Sequence, residues 1–207
     1  PIREISVREL LSVLRVIEDR GAVDTAHRAR QAAGMVFRFG VVTDRAERDI
    51  SQDLKNALKP HKKTHYAAPT EPDELRKLLV AIDHYHGNYS VCAALRLAPL
   101  VFIRPCLLAA MEWSDIDWQK DEWRIAGKKM KSDRDHVVPL SSHSIAILKE
   151  QQLRTGNLRY VFPSVRSRLR PLSDGALRVA LRTMGFDKSA ITPHGFRATA
   201  RTILEEK

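Results

Sequence analysis

Cysteine is scarce in this chain: Cys92 and Cys106 are the only two, and they form no CxxC pair. A disulfide framework or a zinc site is therefore not expected, and two reduced thiols fit a cytoplasmic protein. Long apolar runs are lacking too. A membrane span needs roughly 20 apolar residues, and the longest candidate, CAALRLAPLVFI, is broken by Arg96 and Pro99. The N-terminal PIREISVREL is charged and has no signal-peptide pattern. It also lacks an initiator methionine, as expected of a piece of a longer chain. There is no Walker A loop, no G-x-G-x-x-G and no H-E-x-x-H, so nucleotide-phosphate and zinc-protease chemistry have no motif to rest on. His84 and His86 stand two residues apart, a poor spacing for metal ligation on a helix, and no Asp/Glu cluster offers ligands for a metal-dependent nuclease. No metal or other cofactor is expected.

What the chain does carry is positive charge. Its 207 residues hold 35 Lys and Arg against 25 Asp and Glu, a net charge of +10. Residues 1–60 contribute +2 of this and residues 61–207 contribute +8. Such an excess points to a polyanionic partner, most commonly nucleic acid; a basic surface that is merely solvated is the plainer alternative. A hydrophobic content of 43% and a charged content of 29% are those of a soluble globular protein.

Three segments follow from the periodicity. Ser6-Val7-Arg8-Glu9 reads as a capping box, with Val7, Leu10, Leu11, Leu14 and Ile17 at helical spacing behind it and Gly21 ending the run. Asp24 or Thr25 can cap a second helix through about Val42, with Ala29, Ala32, Val36 and Phe39 on its apolar side. A short third helix around Ser51–Leu58 completes a helical domain at 1–60. KPHKKTHYAAPTEPDE, with its three prolines and no apolar period, reads as a linker, placed at 61–70, whose Lys62 and Lys63 can track a phosphate backbone. A larger domain occupies 71–207. It opens on a helix from about Glu71, capped by Thr70, and continues in helix through 90–111. Alternating residues then mark antiparallel strands near 115–118, 122–126 and 136–139. Further helices are expected at Ser142–Gln152 and Ser173–Met184, and a last one from near Pro193. The fold class is thus mainly α with a small antiparallel β-sheet, an α+β arrangement. Trp113, Trp118 and Trp123 fall in or near the strands and read as packing residues.

Four residues draw attention by chemistry: Arg104 in FIRPCLL, Lys131 in KKMKSDRDHVVPLS, and His194 with Arg197 in HGFR. Each alone is ordinary. In order, the stretches FIRPCLLAAMEWSDIDW, EWRIAGKKMKSDRDHVVPLS, RYVFPS and ITPHGFRATARTILEE resemble the tyrosine recombinases of the prophage-integrase type, over essentially the whole chain. The resemblance implies a core-site-binding helical domain followed by a tyrosine-recombinase-type catalytic domain. The implied partner is double-stranded DNA at a recombination core site, bound by a homo-oligomer, with no membrane involved and a cytoplasmic, nucleoid-associated place in a bacterial cell.

The chemistry it implies is metal-free transesterification, in which a tyrosine attacks a DNA phosphodiester and leaves a 3′-phosphotyrosyl link. By resemblance Arg104 and Arg197 are the guanidinium pair that meets the developing charge on phosphorus, a task suited to an always-charged, forked donor. Lys131 matches the general acid for the leaving 5′-oxygen, and His194 matches a phosphate-contacting histidine and acceptor for the nucleophile's proton. Lys128, Lys129, Arg134, Arg159, Arg166 and Arg168 are expected to face phosphates, the last three within RTGNLRYVFPSVRSRLR beside Arg154 and Arg170. Two departures stand out. Leu107 occupies the place where the family usually has Glu, three residues after the first Arg. Tyr66, Tyr85, Tyr89 and Tyr160 all precede His194, whereas the family's nucleophile follows it, so this segment is expected to bind DNA but not to cleave it alone. A type IB topoisomerase, a non-catalytic DNA-binding module and a degenerate integrase relic are the alternatives.

Overall fold

The computed structural model describes residues 1–60, 67–130, 133–173 and 175–205. The chain divides into two compact units, Pro1–Thr64 and His65–Lys207. It is mainly helical, with small antiparallel sheets.

In the first unit, helix α1 (Val7–Asp19) starts on a complete capping box: the Ser6 hydroxyl accepts from the Glu9 amide while the Glu9 carboxylate accepts from the Ser6 amide. Helix α2 (Val23–Val42) packs against it. The buried face of α2 is not the expected one. Ala26, Gly34, Phe37 and Gly40 point inward, while Ala32, Val36 and Phe39 are exposed. The reason lies in Gly34, where a Cβ would strike the Ser51 hydroxyl. A bare backbone there lets the 3₁₀ turn Ile50–Leu54 lie close, and Phe37 fills the space beside Ala46 and Ile50. The short helix expected around Ser51–Leu58 is thus a 3₁₀ turn that ends at Leu54. Asp49 accepts from the Ser51 amide at 3.0 Å and the buried Glu18 accepts from the Lys59 amide at 2.6 Å, so the segment is pinned at both ends.

The second unit opens with α3 (Pro72–Asp83), its N-terminal residue Glu71 making no side-chain cap, contrary to the expected Thr70 cap. Helix α4 (Tyr89–Val101) is capped by Asn88 and is largely buried, with Ala94, Leu95 and Leu97 inaccessible. It stops at Phe102, which takes a left-handed conformation, and the chain re-enters helix as α5 (Pro105–Ala109). Strands β1 (Ile116–Asp117), β2 (Glu122–Ile125) and β3 (His136–Pro139) form one antiparallel sheet in the order β1-β2-β3, with Trp123 opposite both Ile116 and Val138. The alternation read from EWRI holds: Trp123 and Ile125 are buried and Arg124 is exposed. Helix α6 (Ser142–Thr155) is capped by Ser141. A two-stranded hairpin, β4 (Pro163–Ser164) with β5 (Ser167–Pro171), was not legible as strand. Helix α7 (Ala176–Thr183) begins three residues later than expected, and α8 (Gly195–Glu205) follows Pro193 and His194. One core, centred on Trp123, Phe162, Leu148 and Leu181, joins these elements.

Candidate active site

Arg104 owes its place to the proline after it. Pro105 disfavours the α conformation in the preceding residue, and Arg104 is accordingly extended, with ψ of 136°. Its carbonyl then accepts from the Leu107 and Leu108 amides at 3.0 and 3.1 Å, so the arginine stands at the break between α4 and α5 rather than along either helix. Arg197 lies in the first turn of α8. The two line one cavity of about 480 Å³ with Phe102, Leu107, Met130 and the strand β3. Neither guanidinium has a carboxylate partner among the described residues, so both charges remain available to an anion. A paired cation would have to give up its partner first.

His194 stands exposed one residue before α8, and its carbonyl accepts from the Arg197 amide at 3.2 Å. It is outside the residues that line the cavity, whereas Met130, next to Lys131 in the chain, is inside them. Lys131 itself, with Lys62 and Lys63, falls outside the described residues. The cavity adds His136 at the start of β3, a residue that sequence reasoning treated only as part of a strand. Leu107 lines the same cavity, so the position where a Glu was to be expected is indeed beside Arg104.

Of the arginines and lysines expected to face phosphate, two meet carboxylates in this structure. Lys129 turns inward: its ammonium meets Asp115 at 2.8 Å and Glu112 at 3.1 Å. Arg159 closes on the same Glu112 through Nε at 3.1 Å and Nη2 at 3.2 Å, with its guanidinium over the Tyr160 ring. These charges are already met, and the cluster ties the turn Gly127–Lys129 after β2 to the segments before β1 and after α6. Lys128, Arg134, Arg166 and Arg168 are exposed with no carboxylate partner among the described residues. Arg166 and Arg168 belong to the β4–β5 hairpin, which also exposes Val165 and Leu169.

The cluster shifts both of its central groups. Hydrogen bonding from Arg159, opposed by burial and aided by Lys129, holds the Glu112 carboxyl below its ordinary 4.5. Burial pulls the Lys129 ammonium down, but hydrogen bonds to Asp115 and Glu112 outweigh it and raise it above 10.5. A depressed carboxyl contributes stability that is present above its unfolded value and is lost as pH falls through the folded one; the raised ammonium contributes up to its unfolded value and loses it as pH rises through the folded one. Denaturant midpoints of the wild-type protein are therefore expected to fall more steeply between about pH 5 and about pH 3 than those of Glu112→Gln, which has no such proton to take up. Parallel profiles would remove Glu112 from the acid response.

Among the described residues no group of three or more His, Cys, Asp or Glu is placed to hold a metal. Trp113 and Trp118 stack at 6.2 Å and Trp123 is buried, all three packing as expected.

Against known proteins, residues 1–57 match the family model for the phage integrase central domain and residues 69–207 match that of the phage integrase family. The integrase of Enterobacteria phage P4 is 28% identical over 99% of this chain and 49% of its own length. The prophage integrase IntZ of Escherichia coli (strain K12) is 33% identical over 99% of this chain and 50% of its own. The chain thus spans about half the length of the curated relatives it matches. Among solved structures, a lambda integrase dimer bound to a COC′ core site matches with a TM-score of 0.76 at 22% identity, over 100% of this chain and 76% of that one. The Tn1549 transposon integrase in complex with circular intermediate DNA matches with a TM-score of 0.71 at 13% identity, over 100% of this chain and 74% of that one.

Proposed function

The chain belongs to the phage integrase family, and from that premise we propose that it is the DNA-gripping and catalytic part of a site-specific tyrosine recombinase. The observation that carries this reading is the single cavity lined by Arg104 and Arg197, two guanidiniums without carboxylate partners among the described residues. A phosphodiester seated there would have its non-bridging oxygens met by two forked, permanently charged donors. In the proposed reaction a tyrosine oxygen attacks phosphorus and the bond from phosphorus to the 5′-oxygen breaks. The proton lost by the tyrosine goes to His194, and Lys131 supplies one to the departing 5′-oxygen, which leaves as a hydroxyl. The two arginines stabilise the charge that builds between these events.

Tyr66 lies outside the described residues, and none of the described tyrosines ahead of His194 suits the nucleophile. Tyr85 packs against the core, while Tyr89 and Tyr160 lie beneath the guanidiniums of Arg154 and Arg159. We assign the nucleophile to a tyrosine beyond Arg197, so residues 1–207 by themselves bind without cleaving. Residues 1–60 are assigned to the core site, residues 71–207 to catalysis, and Lys62, Lys63, Lys128, Arg134, Arg166 and Arg168 to phosphates. The partner is a DNA duplex engaged by several copies of the chain, within the cytoplasm at the nucleoid. No described helix is long and apolar enough to cross a membrane.

A second reading has one observation in its favour. Leu107 puts an aliphatic side chain in the cavity beside Arg104, which fits a weakened enzyme or a module that only binds DNA. One experiment separates the two. The protein in its native length is offered a nicked core-site duplex without divalent metal, and covalent protein–DNA adducts are sought on denaturing gels. An adduct supports the recombinase; specific binding with no adduct leaves the binding module.

A further inference from the structure

Three contacts hold the beginning of α8 against Ala67–Pro69, the stretch with which the described part of the second unit opens. The Thr192 amide donates to the Ala67 carbonyl at 3.1 Å. The Thr199 hydroxyl donates to the Pro69 carbonyl at 2.8 Å, a buried bond spanning 130 residues of sequence. Between them lies Gly195, where any Cβ would fall onto the Ala67 carbonyl oxygen and crowd Ile191. The backbone of the strap touches the helix because the residue there has no side chain. Arg182 of α7 also donates to the Ile191 carbonyl, at 3.0 Å. The segment carrying His194 and Arg197 is thereby fastened on both flanks.

Helix termini need such fastening. The first amides of a helix have no partner within it, and helix ends open at lower free energy than the body of a domain. Arg197 sits in that first turn, so the direction of its long side chain depends on whether the turn is formed. We propose that Gly195 and Thr199 are positioning residues: with the Ala67–Pro69 strap they fix the first turn of α8, so that Arg197 stays at the cavity it shares with Arg104. Neither residue lines that cavity, so each acts on phosphate only through Arg197. The inference rests on the reading of Arg197 as a phosphate-gripping residue.

A double-mutant cycle tests it. Binding of this chain to a fluorescent duplex of about 30 base pairs is measured at low salt, where phosphate contacts dominate affinity. Arg197→Ala is expected to weaken binding about tenfold, the scale of one charge-assisted hydrogen-bonded contact. Thr199→Val, which keeps the shape and removes the hydroxyl, is expected to lose several-fold, and Thr199→Ser to restore wild-type affinity. The combined Arg197→Ala/Thr199→Val chain should bind no more weakly than Arg197→Ala alone. Losses that multiply, or a Thr199→Val chain that binds like wild type, overturn the inference while leaving Arg197 on phosphate. A wild-type chain that binds no duplex, or an Arg197→Ala chain that binds as wild type does, overturns the underlying reading as well. If Thr199→Val does not fold, Gly195→Ala carries the same cycle, with the same outcomes deciding.

Discussion

Arg197→Ala, and separately Arg104→Ala, are each expected to slow covalent adduct formation by the protein of native length by roughly 10³-fold or more, the scale of removing a preorganised donor from a charged transition state. Binding is expected to change far less. Each arginine accounts for one phosphate contact, which lowers the salt slope of affinity by only about 0.9. Neither side chain has a carboxylate partner among the described residues, and Arg197 is exposed. Removing either should therefore leave thermal stability within about 0.5 kcal/mol. Arg197→Lys separates charge from geometry: an ammonium keeps the charge but presents a point in place of a planar fork, so it should recover part of the rate and not all. The pattern to look for is a large loss of rate over a small loss of affinity. Adduct formation within about tenfold of wild type for both variants would detach the cavity from the chemistry.

The rule that a residue before proline avoids helix holds at Arg104, which stands at a break inside the stretch 90–111 expected to be helical throughout. It does not hold at Ala98, which stays within α4 ahead of Pro99. The alternation in EWRI holds at the level of individual residues, because a strand with one face on a core has only one workable register. Where the reading failed, a distant group decided the outcome. Val36 and Phe39 looked like the buried side of α2, but the close approach of Ser51 to Gly34 selects another face. Counting apolar side chains cannot find a face whose key residue has none. Lys129 and Lys128 are neighbours of one charge type, yet only Lys129 lies within reach of Asp115 and Glu112. That difference is set by the fold of the loop and not by composition. The hairpin of β4 and β5 escaped notice because its arginines disguise the strand period. The convergence of Arg104 with Arg197 depends on α4, α5 and α8 packing into one core, and only the resemblance to a family anticipated it.

Trp123→Ala is expected to destabilise the second unit by about 3–5 kcal/mol, the range for emptying a large buried aromatic site. Trp123 is 1% exposed and lies opposite Ile116 on one side and Val138 on the other, at the middle of the face that the three strands bury in the core. In urea the transition of the second unit should move to lower denaturant. The first unit has its own clusters, around Leu14 and Phe37, and its transition should stay where it is. Trp123→Phe should cost much less than alanine. It keeps most of the ring, and it removes an indole N–H that is buried without an acceptor among the described residues, a group that costs free energy as it stands. The consequence reaches the cavity. His136, Val137, Val138 and Pro139 of β3 line it, and β3 is held in register by β2 through Trp123 and its neighbours. Loosening β2 lets the β3 residues that line the cavity move while both arginines remain in the chain. A Trp123→Ala protein should therefore lose adduct formation at a temperature well below that at which the wild type loses it, in step with the second unit's unfolding. Activity that outlasts that transition would show that the sheet does not support the site.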